Sequence, residues 1–417
     1  MTDTIIKPER VTQNKVCALF ENELGYEYLG DWSDETDNSN IEESYLRDWL
    51  KARGKSADLI SSAIQTLRNE AIQRPDRSLY ENNKAVYSLL RYGIDIVPAP
   101  GRAAVKVHLI DWDNPGNNHF AIAEEVTLAK GDNDRRPDIV IYVNGIALGV
   151  LELKKSTIDV NEGIRQNLSN QDPKFQPWFF STIQYVFAGN ETQGLRYGTI
   201  ETENKFFLSW KEDPKNTSRG LLYKYLLKMC EKERFLEVIR DFVLFDNGKK
   251  KLPRPHQYFA IKNAQAHVRA GKGGIIWHSQ GTGKSIVMVF LAKWLTEHDP
   301  DARILVVTDR EELDDQIENR VFKPVGVDIH RATSSLDLLT KISATVPPII
   351  CTLIHKFGNH GEMEFEHWIK TLQESRVAVH GNFYVFVDEA HRSHKKDGKF
   401  HRAPEIVNGF EPASFSN

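Results

Sequence analysis

Apolar residues at Val11, Val16, Leu19, Phe20 and Leu24 fall close to a helical stripe, and Gly25 stands where such a helix would end. The same period recurs over about 42–53, 56–72 and 81–92, with Gly54 and Pro75 as punctuation, while acidic, Asn-rich Asp31–Asn40 reads as a loop. At Val105 the period changes. Val105–Ile110, Phe120–Leu128, Asp138–Val143 and Ile146–Leu153 are short β-rich runs divided by Asn, Gly and Pro. A helix at about 160–169, an apolar run Ile183–Ala188 and a helix at about 218–240 follow. Lys249–Lys251 with Pro253 and Pro255 reads as a basic connector. Beyond it come a helix at 256–270, a strand at 274–277, a helix at 284–297, a strand at 303–308, a helix at 311–321 and strands at 348–353 and 383–387. That alternation predicts a parallel sheet covered on both faces, hence an α/β protein with domains at about 1–240 and 250–417.

Composition narrows the class without naming it. The 417 residues, 40% hydrophobic and 27% charged, suit a globular protein with sizeable cores. A net charge of −4 means that attraction to a polyanion would have to come from local basic patches. Three scattered cysteines, Cys17, Cys230 and Cys351, argue against a disulfide framework or a structural zinc site and fit a reducing cytoplasm. No apolar run reaches the roughly 20 residues that span a bilayer, and Met1–Arg10 lacks the apolar core of a signal peptide. No membrane role is expected.

Candidate chemistry concentrates in two places. In Gly273–Ser285 an apolar run, Ile275 to Trp277, leads as a buried strand end into a glycine-rich turn ending in Lys284-Ser285. Gly281 and Gly283, flanking Thr282, would let backbone N–H groups approach a phosphate chain at a helix N-terminus. Lys284 would reach the outer phosphates and Ser285 would hold Mg²⁺. His278 stands where the full phosphate-loop pattern has glycine. Gln257, at a helix start, offers a donor and an acceptor suited to the edge of adenine. Val385–His391 is a strand delivering acids at its carboxyl end, Asp388 for Mg²⁺ through water and Glu389 to orient attacking water.

The second place is the pair of runs around Asn144-Gly145. Pro137-Asp138 opens one strand and Glu152-Leu-Lys154 closes the next; strand alternation puts Glu152 and Lys154 on one face. Asp138 and Glu152 would hold a Mg²⁺ that polarises a phosphodiester, with Lys154 stabilising developing charge or positioning water. A strict two-residue turn would pair Asp138 with Leu151 and put it on the opposite face. We therefore expect a bulged turn ending in Gly145 that pairs Asp138 with Val150, or an equivalent irregularity. Lys154, Lys155 and Lys249–Lys251 with Arg254 are candidate phosphate contacts for DNA.

Together these residues resemble the restriction, or motor-nuclease, subunit of type I restriction-modification systems. Arg136–Lys154 is similar to the family's PD-(D/E)xK core, implying Asp138, Glu152 and Lys154 as cleavage residues. Gln257 resembles the adenine-reading Q motif of superfamily 2 translocases, His278–Ser285 motif I, Val306–Arg310 motif Ia, Cys351–Phe357 the next DNA-contacting motif, and Asp388–His391 the DEAH box. The resemblance implies a PD-(D/E)xK nuclease-like mixed sheet followed by a RecA-like parallel α/β motor domain. It implies ATP and Mg²⁺ as cofactors, and double-stranded DNA and the methyltransferase and specificity subunits as partners. The family carries Q-x-x-x-Y after E-x-K, whereas here Gln166 is followed four positions later by Asn170. The family also continues through a second RecA-like domain with its arginines, so these 417 residues are expected to bind ATP but hydrolyse it poorly. Two other readings remain open: a stand-alone superfamily 2 helicase with an inert N-terminal domain, favoured if Asp138 and Glu152 lie apart, and a non-catalytic nucleotide- and DNA-binding remnant.

Overall fold

The computed structural model describes residues 8–35, 37–72, 74–128, 134–212, 215, 219–279, 281–308, 322, 328–346, 348–353 and 380–388. The chain divides into two compact units, Met1–Pro255 and His256–Asn417, and each is taken by itself.

The first unit opens with helix α1 (Pro8–Asn22), strand β1 (Glu27–Asp31) and three helices, α2 (Glu43–Ala52), α3 (Ala57–Ala71) and α4 (Leu79–Tyr92). Local chemistry sets two of their starts: the Ser56 side chain accepts from the Leu59 N–H, and Ser78 with Glu81 closes a reciprocal capping box. A small hairpin, β2 (Ile94–Ile96) with β3 (Val105–Val107), precedes the long strands β4 (Phe120–Glu124), β5 (Ile139–Val143) and β6 (Ile146–Leu153). Then come α5 (Val160–Asn170), β7 (Tyr185–Asn190), β8 (Gly194–Gly198), α6 (Leu221–Met229), α7 (Lys232–Asp241), β9 (Leu244–Asp246) and β10 (Lys249–Lys251).

Six strands form one mixed sheet in the order β1-β4-β5-β6-β7-β8. β1 runs parallel to β4 and β6 parallel to β7, and the remaining pairs are antiparallel. Every residue of β4, β5, β6 and β7 is buried, which explains why these runs are almost continuously apolar instead of alternating. Trp32, Tyr142, Val150, Phe179, Phe180 and Val186 belong to the main core.

Asn144 and Gly145 form a tight turn, both with positive φ (52° and 78°), the backbone that matches strand twist and favours Asn-Gly. A side chain at 145 would also strike the Glu42 carbonyl, 2.5 Å from the position of a Cβ.

Three expectations are corrected in this unit. The single helix at about 218–240 is two, because the Glu231 carboxylate caps a fresh start by accepting from the Glu233 and Arg234 N–H groups. β1 and β8 were not read from the sequence. Lys249–Lys251 is no connector: it is β10, paired antiparallel with β9. Lys250 is buried, its ammonium donating to Asn83 Oδ1 (2.8 Å), Gln184 Oε1 (2.5 Å) and the Ile183 carbonyl (3.3 Å). Lys249 pairs with Glu203 and Lys251 with Asp246. Burial removes Lys250 from the candidate DNA contacts, whereas Lys249 stands in an exposed pair and Lys251 in a partly exposed one.

The second unit has α8 (Pro255–Arg269), α9 (Lys284–His298), β11 (Ala302–Thr308), β12 (His330–Arg331), α10 (Ser335–Ser343), β13 (Ile349–Leu353) and β14 (Asn382–Val387). Its strands form a sheet ordered β12-β13-β11-β14, parallel throughout. The strand expected at 274–277 is not formed. Ile275, Ile276 and Trp277 are 64%, 39% and 80% exposed, because three apolar residues between glycines and a polar turn make no strand without a ladder partner. The helix expected at 311–321 lies outside the described residues.

Lys250 yields a stability test. Burial pulls its ammonium well below the usual lysine range, and Lys250→Ala would strand the Asn83 and Gln184 oxygens without a donor. Urea unfolding should show a loss of about 1–3 kcal/mol, whereas Lys249→Ala, on an exposed pair, should leave the midpoint almost unmoved.

Candidate functional site

The acid pair is brought together by an irregularity inside β6. Near the turn Val143 pairs with Ile146 and Tyr142 with Ala147; past it Ile141 pairs with Gly149, Val140 with Val150 and Ile139 with Leu151. Leu148 is therefore an extra residue, a bulge that shifts the register by one. One step further brings Asp138 level with Glu152. The expected irregularity exists, but it sits within the strand and pairs Asp138 one residue beyond Leu151 instead of one before it. A strict ladder from the same turn would have left the two acids on opposite faces.

Glu152 is fully buried. Its Oε1 lies 3.4 Å from Asn170 Nδ2, Lys154 Nζ stands 3.9 Å from its Oε2, and the Asp138 side chain is within hydrogen-bonding reach of the same carboxyl. Lys154 also lies 3.5 Å from Glu9 of α1. Asp138 Oδ2 accepts the Leu153 N–H at 2.5 Å, a bond that ties the start of β5 to the end of β6. Burial raises the Asp138 carboxyl to about 6, against the opposing pull of Lys154 and the Leu153 N–H. Burial, and then Asp138 itself, push the Glu152 carboxyl well above the usual carboxylate range, again opposed by Lys154.

Neighbouring elements close the site. Gln13 of α1 donates to the Asp138 carbonyl (3.2 Å) and to Glu125 (3.0 Å), and Glu125 itself has φ 52° where β4 bends away. Arg10 reaches Glu124 at 2.8 Å, fastening α1 to the same strand end. α5 comes close over β6 because residue 163 is glycine: a Cβ there would sit 3.3 Å from Ala188 Cβ and 3.5 Å from Glu152 Cβ. Glu9, Gln13 and Glu125 were missed by sequence reasoning, since no local motif marks a helix that packs against strands more than a hundred residues away. Asn170 was noted only as a departure from a tyrosine.

Among the described residues no three His, Cys, Asp or Glu side chains are close enough to hold a metal by themselves. Two adjoining buried carboxyls beside a lysine nevertheless fit Mg²⁺, which takes one or two protein carboxylates and fills its remaining positions with water or phosphate oxygens.

In the second unit Gly281 and Gly283 have left-handed backbones (φ 77° and 86°), and Gly283 caps α9, which begins at Lys284-Ser285. Gln257 is buried and donates to the Thr282 and Gly283 carbonyls at 3.2 and 3.3 Å, while His256 meets the Thr282 carbonyl at 3.0 Å. Gln257 thus buttresses the turn, and a side chain at 283 would collide with its Nε2. His278 packs edge-on against His256; burial, then His256 and Lys284, lower its basicity.

α9 lies against β11 and leads into its start. Asp388 follows β14, its N–H bonded to the Val307 carbonyl at 3.0 Å. Asp388 thus lies at the carboxyl end of the parallel sheet, where open α/β sheets take ligands. Glu389, His391, Asp309, Arg310 and the run 354–357 lie outside the described residues.

These arrangements define a class: an α/β protein with a buried acid pair and lysine on a mixed sheet, followed by a parallel-sheet unit with a glycine turn opening a helix. Residues 6–205 match the family of the type I restriction enzyme R protein N terminus, and residues 256–414 match the SWI2/SNF2 ATPase family. The chain is 30% identical to the type I restriction enzyme HindI endonuclease subunit of Haemophilus influenzae over 82% of its length and 34% of the relative's. It is 29% identical to a Methanocaldococcus jannaschii protein provisionally named type I restriction enzyme MjaIXP endonuclease subunit, over 93% of this chain and 40% of the other. The SsaAORF53P endonuclease subunit of Staphylococcus saprophyticus is 24% identical over 77% of the chain. The resemblance drawn from the motifs is thereby borne out. The chain spans about two fifths of the MjaIXP subunit and one third of the HindI subunit. Among the described residues no helix is long and apolar enough to cross a membrane.

The raised carboxyls have a signed consequence for the metal-free chain. A folded carboxyl that holds its proton more tightly than the unfolded one makes stability fall as pH rises from about 4 through about 6. Melting in EDTA should therefore show a transition that drops across this window, and Asp138→Asn with Glu152→Gln should flatten the drop and raise stability at pH 7. A wild-type profile equally flat would contradict the buried-acid assignment.

Proposed function

We propose that this chain is the nuclease and first motor portion of a type I restriction subunit: a PD-(D/E)xK endonuclease unit followed by a RecA-like superfamily 2 motor unit, acting on double-stranded DNA. The observation that carries this reading is the alignment of Asp138 with the fully buried Glu152, beside Lys154. Rival schemes with an inert first domain call for the two acids to lie apart.

Bound between Asp138 and Glu152, Mg²⁺ would supply Lewis-acid polarisation of a phosphodiester. The chain's own residues do the rest. The carboxylates give up their protons to become ligands, and the Leu153 N–H holds Asp138 at a fixed angle. Lys154, released from Glu9, stabilises negative charge on the phosphate or orients the attacking water. In the motor unit the Gly281-Thr282-Gly283 backbone and Lys284 cradle the phosphates of ATP. Ser285 and Asp388 hold the accompanying Mg²⁺, and Glu389 orients water. Gln257 couples the base side of the nucleotide to the phosphate turn, since its amide already bonds that turn. Cleavage and translocation in the assembled enzyme call for the methyltransferase and specificity subunits.

The test is made in the complex reconstituted with those subunits. Asp138→Ala or Lys154→Ala should abolish DNA cleavage while ATP turnover continues; Lys284→Ala should abolish ATP turnover and, with it, translocation-dependent cleavage. Cleavage that survives Asp138→Ala would overturn the nuclease assignment.

A further inference from the structure

We infer that Asn170 is a positioning residue of the acid pair: its side-chain amide holds one oxygen of Glu152 and so sets the other, Oε2, on the side of Lys154, where a cation shared with Asp138 would meet it. The inference rests on the metal-dependent reading of that pair and adds a residue to it. A buried glutamate on a strand has three side-chain torsions, and nothing in β6 itself determines which oxygen faces the site. The neighbours determine it. Asn170 Nδ2, at 3.4 Å, is the hydrogen-bond donor given to Oε1 among the described residues, and both side chains are within 1% of complete burial.

Asn170 is well fixed for this task. It ends α5, its own carbonyl accepts the Gln176 N–H at 3.1 Å, and the helix is clamped one turn earlier by Asn167, whose amide donates to the Phe187 carbonyl of β7 at 2.9 Å. Gly163, two turns back on the same face, lets the helix sit close to Glu152. An amide suits the position better than the alternatives. An apolar side chain would leave Oε1 without a donor in a dry interior, and a carboxylate would add a third negative charge. Partners that orient metal-ligating carboxylates are worth about 10- to 100-fold in affinity when removed.

Calorimetric titration of the full chain with Mn²⁺ alone, at fixed pH, separates the possibilities. Wild type should bind, and Glu152→Gln should lose binding; if the two bind alike, the acid-pair reading itself fails and this inference with it. Given that difference, Asn170→Leu and Asn170→Ser should weaken Mn²⁺ binding by about tenfold to a hundredfold, with melting of the metal-free chain monitored in parallel. Asn167→Ala removes a purely structural amide of the same helix; it should lower the melting temperature without a comparable change in Mn²⁺ affinity. Wild-type affinity in a folded Asn170 variant overturns the inference and leaves the acid pair standing. Equal weakening in the Asn167 and Asn170 variants also overturns it, because the effect would then belong to helix packing.

Discussion

Burying an ionisable carboxylate is the constraint around which the first unit is arranged. Glu152 has no access to solvent, and an unpaired charge there would cost several kcal/mol. The fold answers with a proton held above the usual carboxylate range, an amide on one oxygen and an ammonium at 3.9 Å from the other. Each answer is incomplete, and the incompleteness is what makes the site chemically useful. A carboxylate satisfied by a tight salt bridge would have nothing left to offer a cation.

The surrounding architecture follows from that demand. α1 supplies Glu9 for Lys154, Gln13 for the Asp138 carbonyl and Arg10 for Glu124, so one helix anchors the ends of three strands. α5 supplies Asn170, and the absence of a side chain at Gly163 lets it approach. The Leu148 bulge turns Asp138 to the same face. The second unit follows a different logic: its turn is shaped by left-handed glycines and backed by Gln257 and His256, which hold its carbonyls. The start of α9, with its N–H groups and helix dipole, is the part of this unit suited to an anion.

Much of this was legible in the residues. Asn144-Gly145 marked the hairpin, the apolar runs marked β4 to β7, and Gly-Thr-Gly-Lys-Ser marked the start of α9, because turn chemistry, burial and helix initiation act within a few residues. Glu152 and Lys154 were found for the same reason: a two-residue spacing on a strand fixes a shared face. The motifs also carried the resemblance to type I restriction subunits that residues 6–205 and the curated relatives bear out.

What the sequence could not decide were pairings between distant segments. The register of β5 against β6 depends on a bulge whose position no local preference sets, and Lys250 looked like a linker charge, whereas Asn83 of α4 and the residues just before β7 surround it with oxygens. Ile275 to Trp277 had the composition of a strand, yet strands exist only through partners, and among the described residues none pairs with that run. The sequence by itself determined which short segments would be helix, strand or turn and which residue types could do chemistry, because those follow from interactions along the chain. Only the tertiary structure decided that Asp138 faces Glu152, that Asn170 touches it, and which lysines are already engaged, because burial and register arise from contacts between residues far apart in sequence.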